Sequence, residues 1–525
     1  MFRLANRPAS GARRWAALGV LCVAALMVNL DTTILNVALP TLVDRLQATT
    51  DELEWIVDAY ALVFGGLLLV SGSLADRFGR RRLFMAGLVT FGGGSLGAAF
   101  SGGADALIAW RAVMGAGAAM AIPATLAIVN DVFRAPGLRV RALGIWSGTM
   151  GLGIAIGPVI GGVLLAHFAW GSIFFVNVPV TAAGVLGALL LVPASRSSSP
   201  RSPDLAGASL SVLGLGLTLW AIIEGPTHGW SSAEVLGTLT GGVLVIAAFL
   251  AWERQSTHPM LPMHYLRVRR FSIAMLGLAL CSFALSGGLF LQTQFLQFFL
   301  GYTPLDAGLR ILPIAGMIAA GAAASPPLIR RIGTRLVVTS AMLLIAAGLG
   351  QCAAVSSNGT TYVDIVPGLL LIGAGAGLLI PAGVDSVLGS VAQEDSGVGS
   401  ATNSTALQVG GALGVAVVGS VLSTRYQTTV QAALVGHHVP PAIAQVILGS
   451  LGGALTVARV VGGALGRGLA GVARSGFVDG ERAALLAAVG VTAAGALVAL
   501  AALPSLRVRR QAAAKEPAAV TASVS

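Results

Sequence analysis

Two carboxylates stand where an apolar chain rarely tolerates charge. Asp31 lies in Asp31-Thr-Thr33-Ile-Leu-Asn36-Val-Ala-Leu-Pro40, inside an apolar run that opens near Ala16. Asp58 lies in Trp55-Ile-Val-Asp58-Ala-Tyr60, at the head of the next run. If the first run crosses a bilayer, Asp31 sits ~22 Å along a ~30 Å hydrocarbon core, and Asp58 about one turn below the same surface on the way back. Acids inside a membrane segment are functional by default, because lipid offers an ion no hydration. The chemistry available to them is the loading and release of a proton near neutral pH, or attraction of a cation. The alternative is a purely capping or hydrogen-bonding role, to which Asp58, nearer the interface, is the more open of the two. A third charge, Arg111, lies in Leu107-Ile-Ala-Trp-Arg111-Ala-Val-Met114-Gly115-Ala-Gly117. A central arginine costs roughly 2.5–3.5 kcal/mol on insertion scales, so it should face the bundle interior and a partner, unless it snorkels to an interface.

Only a membrane-spanning scaffold can position such residues. The chain has 525 residues, of which 55% are hydrophobic and 10% charged, with 70 glycines. Soluble domains carry about 25% charged residues, so a polytopic all-α membrane protein is the reading, with the lipid bilayer as its surroundings. The net charge of +11 comes from arginines in short loops between apolar runs, which excludes a nucleic-acid partner as its cause. Cys22, Cys281 and Cys352 lie within apolar runs and have neither metal-ligand nor disulfide spacing. No phosphate-binding loop, metal-ligand cluster or nucleophile–base pair occurs, so no cofactor, no metal and no enzyme activity are expected.

Fourteen apolar runs are candidate spans, near residues 16–38, 54–75, 83–103, 105–130, 142–165, 172–193, 206–224, 236–252, 272–299, 306–328, 335–355, 363–390, 400–423 and 484–504. Loops rich in arginine (Arg77 with Arg80 to Arg82, Arg267 to Arg270, Arg330 and Arg331) alternate with loops holding Asp51, Glu52 and Glu54, then Asp105, Glu234, Asp306 and Asp364. The positive-inside rule then puts both termini in the cytoplasm. The stretch 425–483 breaks this pattern with Arg459, Arg467 and Arg474, and its apolar middle, Ile443 to Leu465, reads as a re-entrant hairpin.

An internal repeat explains the count. Gly115-Ala-Gly-Ala-Ala-Met-Ala-Ile-Pro123 recurs as Gly373-Ala-Gly-Ala-Gly-Leu-Leu-Ile-Pro381, an offset of 258, and Arg77-Phe-Gly79 recurs as Arg331-Ile-Gly333, an offset of 254. Parallel halves with two inserted helices fit these offsets. The expected organisation is an N-terminal six-helix bundle (1–195), two inserted helices (196–270), a C-terminal six-helix bundle (271–505) and a cytoplasmic tail (506–525).

Two further stretches carry information beyond hydropathy. Gly72-Ser-Leu-Ala-Asp76-Arg77-Phe-Gly79-Arg80-Arg81-Arg82 places a glycine and an acid ahead of the arginines, which a loop that only set topology would not need. Gly153-x-x-x-Gly157-Pro158-x-x-Gly161-Gly162 spaces glycines four apart on one face, a seam for close helix packing beside a proline kink.

These stretches resemble signatures of the major facilitator superfamily. The Gly72–Arg82 segment resembles its motif A, the Arg111 segment its motif B (with Met114 where glutamine is usual), and the Gly153–Gly162 segment its antiporter motif. The Asp31–Pro40 and Trp55–Tyr60 strings resemble the fourteen-span drug:proton antiporter branch and its subset exporting quaternary ammonium and other lipophilic cations. The resemblance implies a proton-coupled exporter of lipophilic small molecules in the cell membrane, with a monomer as the expected state. Asp31, Arg111 and Asp58 would handle the proton. Gly72, Asp76, Arg77, Gly79 and Arg80 would form a conformational latch, and Gly153, Gly157, Pro158, Gly161 and Gly162 would seal the halves against leak. Asp58, Tyr60, Trp146, Glu224 and Phe295 are candidates for substrate contact, the aromatics by offering π-faces to a cation. An exporter of one self-made metabolite, or a receptor on the same scaffold, are the other readings.

Overall fold

The computed structural model describes residues 11–133, 135–195, 203–256, 259–260, 263–391, 396–435 and 438–503. The expected tail 506–525, and arginines 3, 7, 134, 196 and 201, lie outside them. Among the described residues the structure is helical and contains no strand. The long helices are α1 Gly11–Leu46, α2 Thr50–Phe78, α3 Arg80–Ala99, α4 Ala104–Val132, α5 Pro136–His167, α6 Asn177–Leu191, α7 Leu205–Ile223, α8 Ala233–Gln255, α9 Arg269–Gln294, α10 Pro304–Ile332, α11 Thr334–Val355, α12 Tyr362–Leu388 and α13 Ser396–Leu434. Two short helices, α14 Pro441–Gly449 and α15 Leu451–Val461, precede the last, α16 Gly463–Ala502.

Eleven helices are long and apolar enough to cross a membrane, twelve if the bent α5 counts as one span. The expected fourteen therefore stands at eleven or twelve by hydropathy. α2 and α3, which hold the expected spans 54–75 and 83–103, are not among these. Both pack closely on α4 nonetheless. The stretch expected as a re-entrant hairpin, 443–465, holds the helix pair α14–α15. Its Gly449 carbonyl accepts a hydrogen bond from Thr50 Oγ1, and its Gly452 lies against Val43 and Phe298. α16 starts at Gly463 rather than near 484, after two residues, Gly462 and Gly463, with positive φ.

The sequence repeat has a physical counterpart. Gly79 (φ 100°) ends α2 and Gly333 (φ 87°) ends α10, and each opens the following helix; this backbone favours glycine and pins the Arg-x-Gly pattern. In α4, Gly115 faces the Tyr60 carbonyl of α2 and Gly117 faces Phe91 of α3. In α12, Gly373 faces the Ile314 carbonyl of α10 and Gly375 faces Ala341 and Ile345 of α11. A Cβ at any of the four would strike backbone, so small residues recur where neighbouring helices must touch.

Helices α1 to α6 pack chiefly among themselves, as do α9 to α13 with α16. α7 and α8 pair with each other, and α7 leans on α2 and α13. The two groups meet along α2–α13 and α5–α10. One face of the bundle carries Arg80 to Arg82, Asp131 and Arg270; the opposite face carries Asp51, Glu224 and Asp306. They are called the basic and acidic faces below.

Candidate functional site

At the centre of the first helix group lies a closed polar network. Asp31, on α1, is 2% exposed and accepts from Arg111 Nη1 at 2.6 Å. Its other oxygen, Oδ1, accepts from Asn177 Nδ2 on α6 at 2.9 Å, and Asn177 also reaches Ser95 Oγ on α3. Arg111 itself is 1% exposed. Its Nε donates to the Ile56 carbonyl at 3.1 Å, and its guanidinium lies 4.3 Å from the centre of the Tyr60 ring. Charge-assisted hydrogen bonds on both sides and a ring face below satisfy the ion pair without water. Gly115 makes this possible, since any side chain there would push α2, and Tyr60 with it, away from α4.

The rest of the expected site is spread through the fold. Asp58 is fully buried on α2, and neither carboxylate oxygen has a hydrogen-bond partner. Tyr60 is taken up by Arg111 and by Phe64, an edge-on neighbour. Trp146 donates to Thr125 Oγ1 on α4. Glu224 accepts from Trp55 Nε1 and sits 3.5 Å from His228. Phe295 is fully buried and stacked on Phe299, in the π-helical turn Phe295–Phe299 that ends α9. The five expected substrate residues thus lie on α2, on α5, after α7 and at the end of α9. A cavity between the helix groups is lined by Thr33, Asn36, Pro158, Leu285, Leu289 and Ile314, among others, and by none of those five. At about 60 Å³ it is far smaller than the ~300–1,000 Å³ of drug-sized pockets. A larger ligand requires the groups to separate.

The glycine–proline seam is where they meet. Gly153, Gly157 and Gly161 lay α5 against Leu26, Leu30, Thr33 and Ile34 of α1, and Thr33 Oγ1 donates to the Gly153 carbonyl at 3.3 Å. Gly162 abuts Leu305, and Gly308 abuts the Pro158 carbonyl, so the same segment seats α5 on α10. α5 bends by about 40° near Ile154, the residue whose carbonyl the ring of Pro158 displaces.

On the basic face Arg80 pairs with Asp131, at the end of α4, at 2.5 Å, and both are partly exposed. Arg77 is exposed beside Phe78, Gly79 supplies the turn, and Gly72 has open space beside it. The side chain of Asp76 lies outside the described residues. At the end of α12, Asp385 pairs with Arg270 at 3.4 Å.

Sequence reasoning passed over Asn177, Ser95 and Asp131, and counted Glu54 as a loop acid although it is fully buried. A lone polar residue in an apolar run was the signal for Asn177. On the acidic face, ahead of the apolar part of α2, Asp51 accepts from Thr227 Oγ1 at 2.5 Å. Burial pushes its carboxyl from the ordinary 3.8 up to about 6; nearby Glu224 and Glu52 add to the rise, while Thr227 and His228 oppose it.

A multi-pass helical protein with an internal repeat and two helix groups that meet on a small cavity has the architecture of a membrane transporter. A solved structure with 17% identity and a TM-score of 0.64, a bacterial homologue of the human lysosomal transporter Spinster, matches over 94% of this chain and 98% of its own. The family model of the Major Facilitator Superfamily matches residues 21–415, and the chain belongs to that family. Among curated relatives, the tetracenomycin C resistance and export protein of Streptomyces glaucescens is 33% identical over 95% of this chain and 93% of its own length. The multidrug efflux pump LfrA of Mycolicibacterium smegmatis is 32% identical over 93% and 96%. The relatives are drug- or antibiotic-resistance efflux pumps, which supports efflux transport by this chain.

Proposed function

We propose that this protein exports lipophilic, cationic drugs or biocides across the cell membrane in exchange for protons. It would act as a monomer with fourteen spans: two six-helix bundles, residues 1–195 and 271–505, and two inserted helices within 196–270. The basic face is cytoplasmic, as are both termini. The observation that carries the reading is the buried Asp31–Arg111 pair, closed off by Asn177 and Tyr60. In a dry interior the pair stays closed, because parting it leaves a charge uncompensated; water entering from one side would hydrate the guanidinium and let a proton take its place on Asp31. Asp31 would take up a proton when its side of the bundle opens outward and release it inward. Arg111 reports the change to α2 through Ile56 and Tyr60, and Asp58 attracts the cation or shares the proton. Arg80 and Asp131, with Asp76, Arg77, Gly72 and Gly79, latch the basic face; the α5 seam keeps the groups sealed.

The test uses proteoliposomes with an imposed pH gradient and tetraphenylphosphonium as the cation. Gradient-driven uptake in the wild type, lost in Asp31→Asn with substrate binding retained, is expected. Uptake that survives the substitution would move the coupling to another acid. A second reading, export of one self-made antibiotic, is favoured by the name of the tetracenomycin C relative. It predicts transport of a single compound and none of tetraphenylphosphonium.

A further inference from the structure

Three of the acids of α2, Asp51, Glu54 and Asp58, are spaced three and four apart and therefore lie on one face of the helix. The middle one is the least explained. Glu54 is fully buried, and neither of its carboxylate oxygens has a hydrogen-bond partner. It does not belong to the Asp31–Arg111 network. It lies across the α2–α13 junction, where the two helix groups meet, directly against Gly419: a Cβ built on that glycine would fall on Glu54 Oε1 and Cδ. The contact closes one side of the carboxylate, and a proton needs no further space.

The groups facing Glu54 offer it no positive charge. From its own helix come Asp51 and Asp58, and from the turn after α7 comes Glu224, all of one sign. His228 faces Glu224 and Asp51. α13 contributes Gly419, and its one charged residue, Arg425, is exposed. Arg111, on α4, is turned to Asp31 and the Ile56 carbonyl. Asp44 and Arg45, at the end of α1, are exposed. An ionised carboxylate with no partner and three acids around it is expensive in a dry interface, whereas the neutral acid is tolerated. When α2 and α13 part, water reaches the group and the charged form costs little.

We propose that Glu54 is a second proton-binding site, distinct from Asp31, whose protonation permits α2 and α13 to close on the acidic face. One proton taken up at the acidic face would close the junction; its release would open it. This inference rests on the proposal that the helix groups separate on the acidic face during transport, and its test does not depend on Asp31 coupling.

The experiment is a distance measurement between spin labels at Asp44 of α1 and Gln431 of α13, both exposed, in the full chain with Cys22, Cys281 and Cys352 replaced, reconstituted in nanodiscs between pH 5 and 8.5. In the otherwise unaltered chain the short distance should dominate at low pH and give way to a longer one as pH rises. Glu54→Gln should hold the short distance across the whole range, with at least a tenfold loss of the long-distance population at pH 8.5. Glu54→Met, neutral and of similar volume, should do the same and serves if the glutamine variant folds poorly. Asp31→Asn should keep the shift. A distance that does not respond to pH, or a response that persists in both Glu54 variants, overturns the proposal. Loss of the shift in Asp31→Asn but not in Glu54→Gln also overturns it, by assigning the junction to Asp31. If the shift depends on Glu54 while Asp31→Asn still transports, the Asp31 mechanism fails and this inference stands.

Discussion

Replacing Arg111 by methionine removes the positive member of the buried pair while keeping most of its volume. Asp31 then retains one donor, Asn177 Nδ2 at 2.9 Å, and loses the guanidinium at 2.6 Å; both side chains of the pair are only 1% exposed. Breaking a buried pair by removing one partner costs ~3–5 kcal/mol, because a charge is left in low dielectric without compensation. Changing Asp31 to asparagine in the same chain removes that orphan charge, so the double variant should recover more than half of the loss. The contrast within the molecule is Arg80–Asp131, partly exposed, where removing Arg80 should cost less than about 1 kcal/mol. The assay is unfolding of the purified protein in mixed micelles by increasing sodium dodecyl sulfate, analysed as a double-mutant cycle. A single variant Arg111→Met that costs less than about 1 kcal/mol, or a double variant no more stable than it, would refute the reasoning. Either result would mean that water or another group already compensates Asp31.

Two further outcomes follow from the same geometry. Gly308→Leu places a side chain on the Pro158 carbonyl; overpacking of this kind costs roughly 1–3 kcal/mol. It should abolish transport while leaving the protein folded, as read by size-exclusion chromatography and proteoliposome uptake together. Asp51→Asn tests the acid at the head of α2. Its native carboxyl titrates near 6 against an ordinary 3.8, so the native state binds the proton more tightly than the unfolded one. The resulting stabilisation is present in full below about 3.8 and is lost as pH rises through about 6. The melting midpoint of the wild type should therefore fall between pH 4 and pH 7 by more than that of Asp51→Asn; equal slopes would rule the assignment out.

The class of the protein was legible from its sequence. Composition and the run lengths point to a membrane bundle, since lipid admits only backbones that satisfy their own hydrogen bonds. The repeat around Gly115 and Gly373 was legible because helices that touch need glycine at the same places in each half. Arg-x-Gly recurred because a positive φ at Gly79 and Gly333 selects for it. That Asp31 and Arg111 needed partners followed from the cost of charge in lipid. Which partners they have did not follow. The 80 residues between them fold back through two other helices, and Asn177, from a third, is found only once α6 is packed against α1.

Hydropathy also misplaced what packing rescues. The head of α2 reads as an acidic loop end near the interface, yet Glu54 and Asp58 there are buried by α2's neighbours. The stretch 443–465 reads as a re-entrant hairpin, and packing adds where its two short helices rest, on the ends of α1 and α2. Sequence by itself determined the kind of solvent, the number of helices to within a few and the residues too costly to be idle, because those depend on local composition and period. Tertiary structure alone decided that Glu54 lies across a junction rather than in a loop, and that Trp146 is taken up by Thr125 and Phe295 by Phe299. Both depend on which faces of distant helices meet, and no local pattern encodes that.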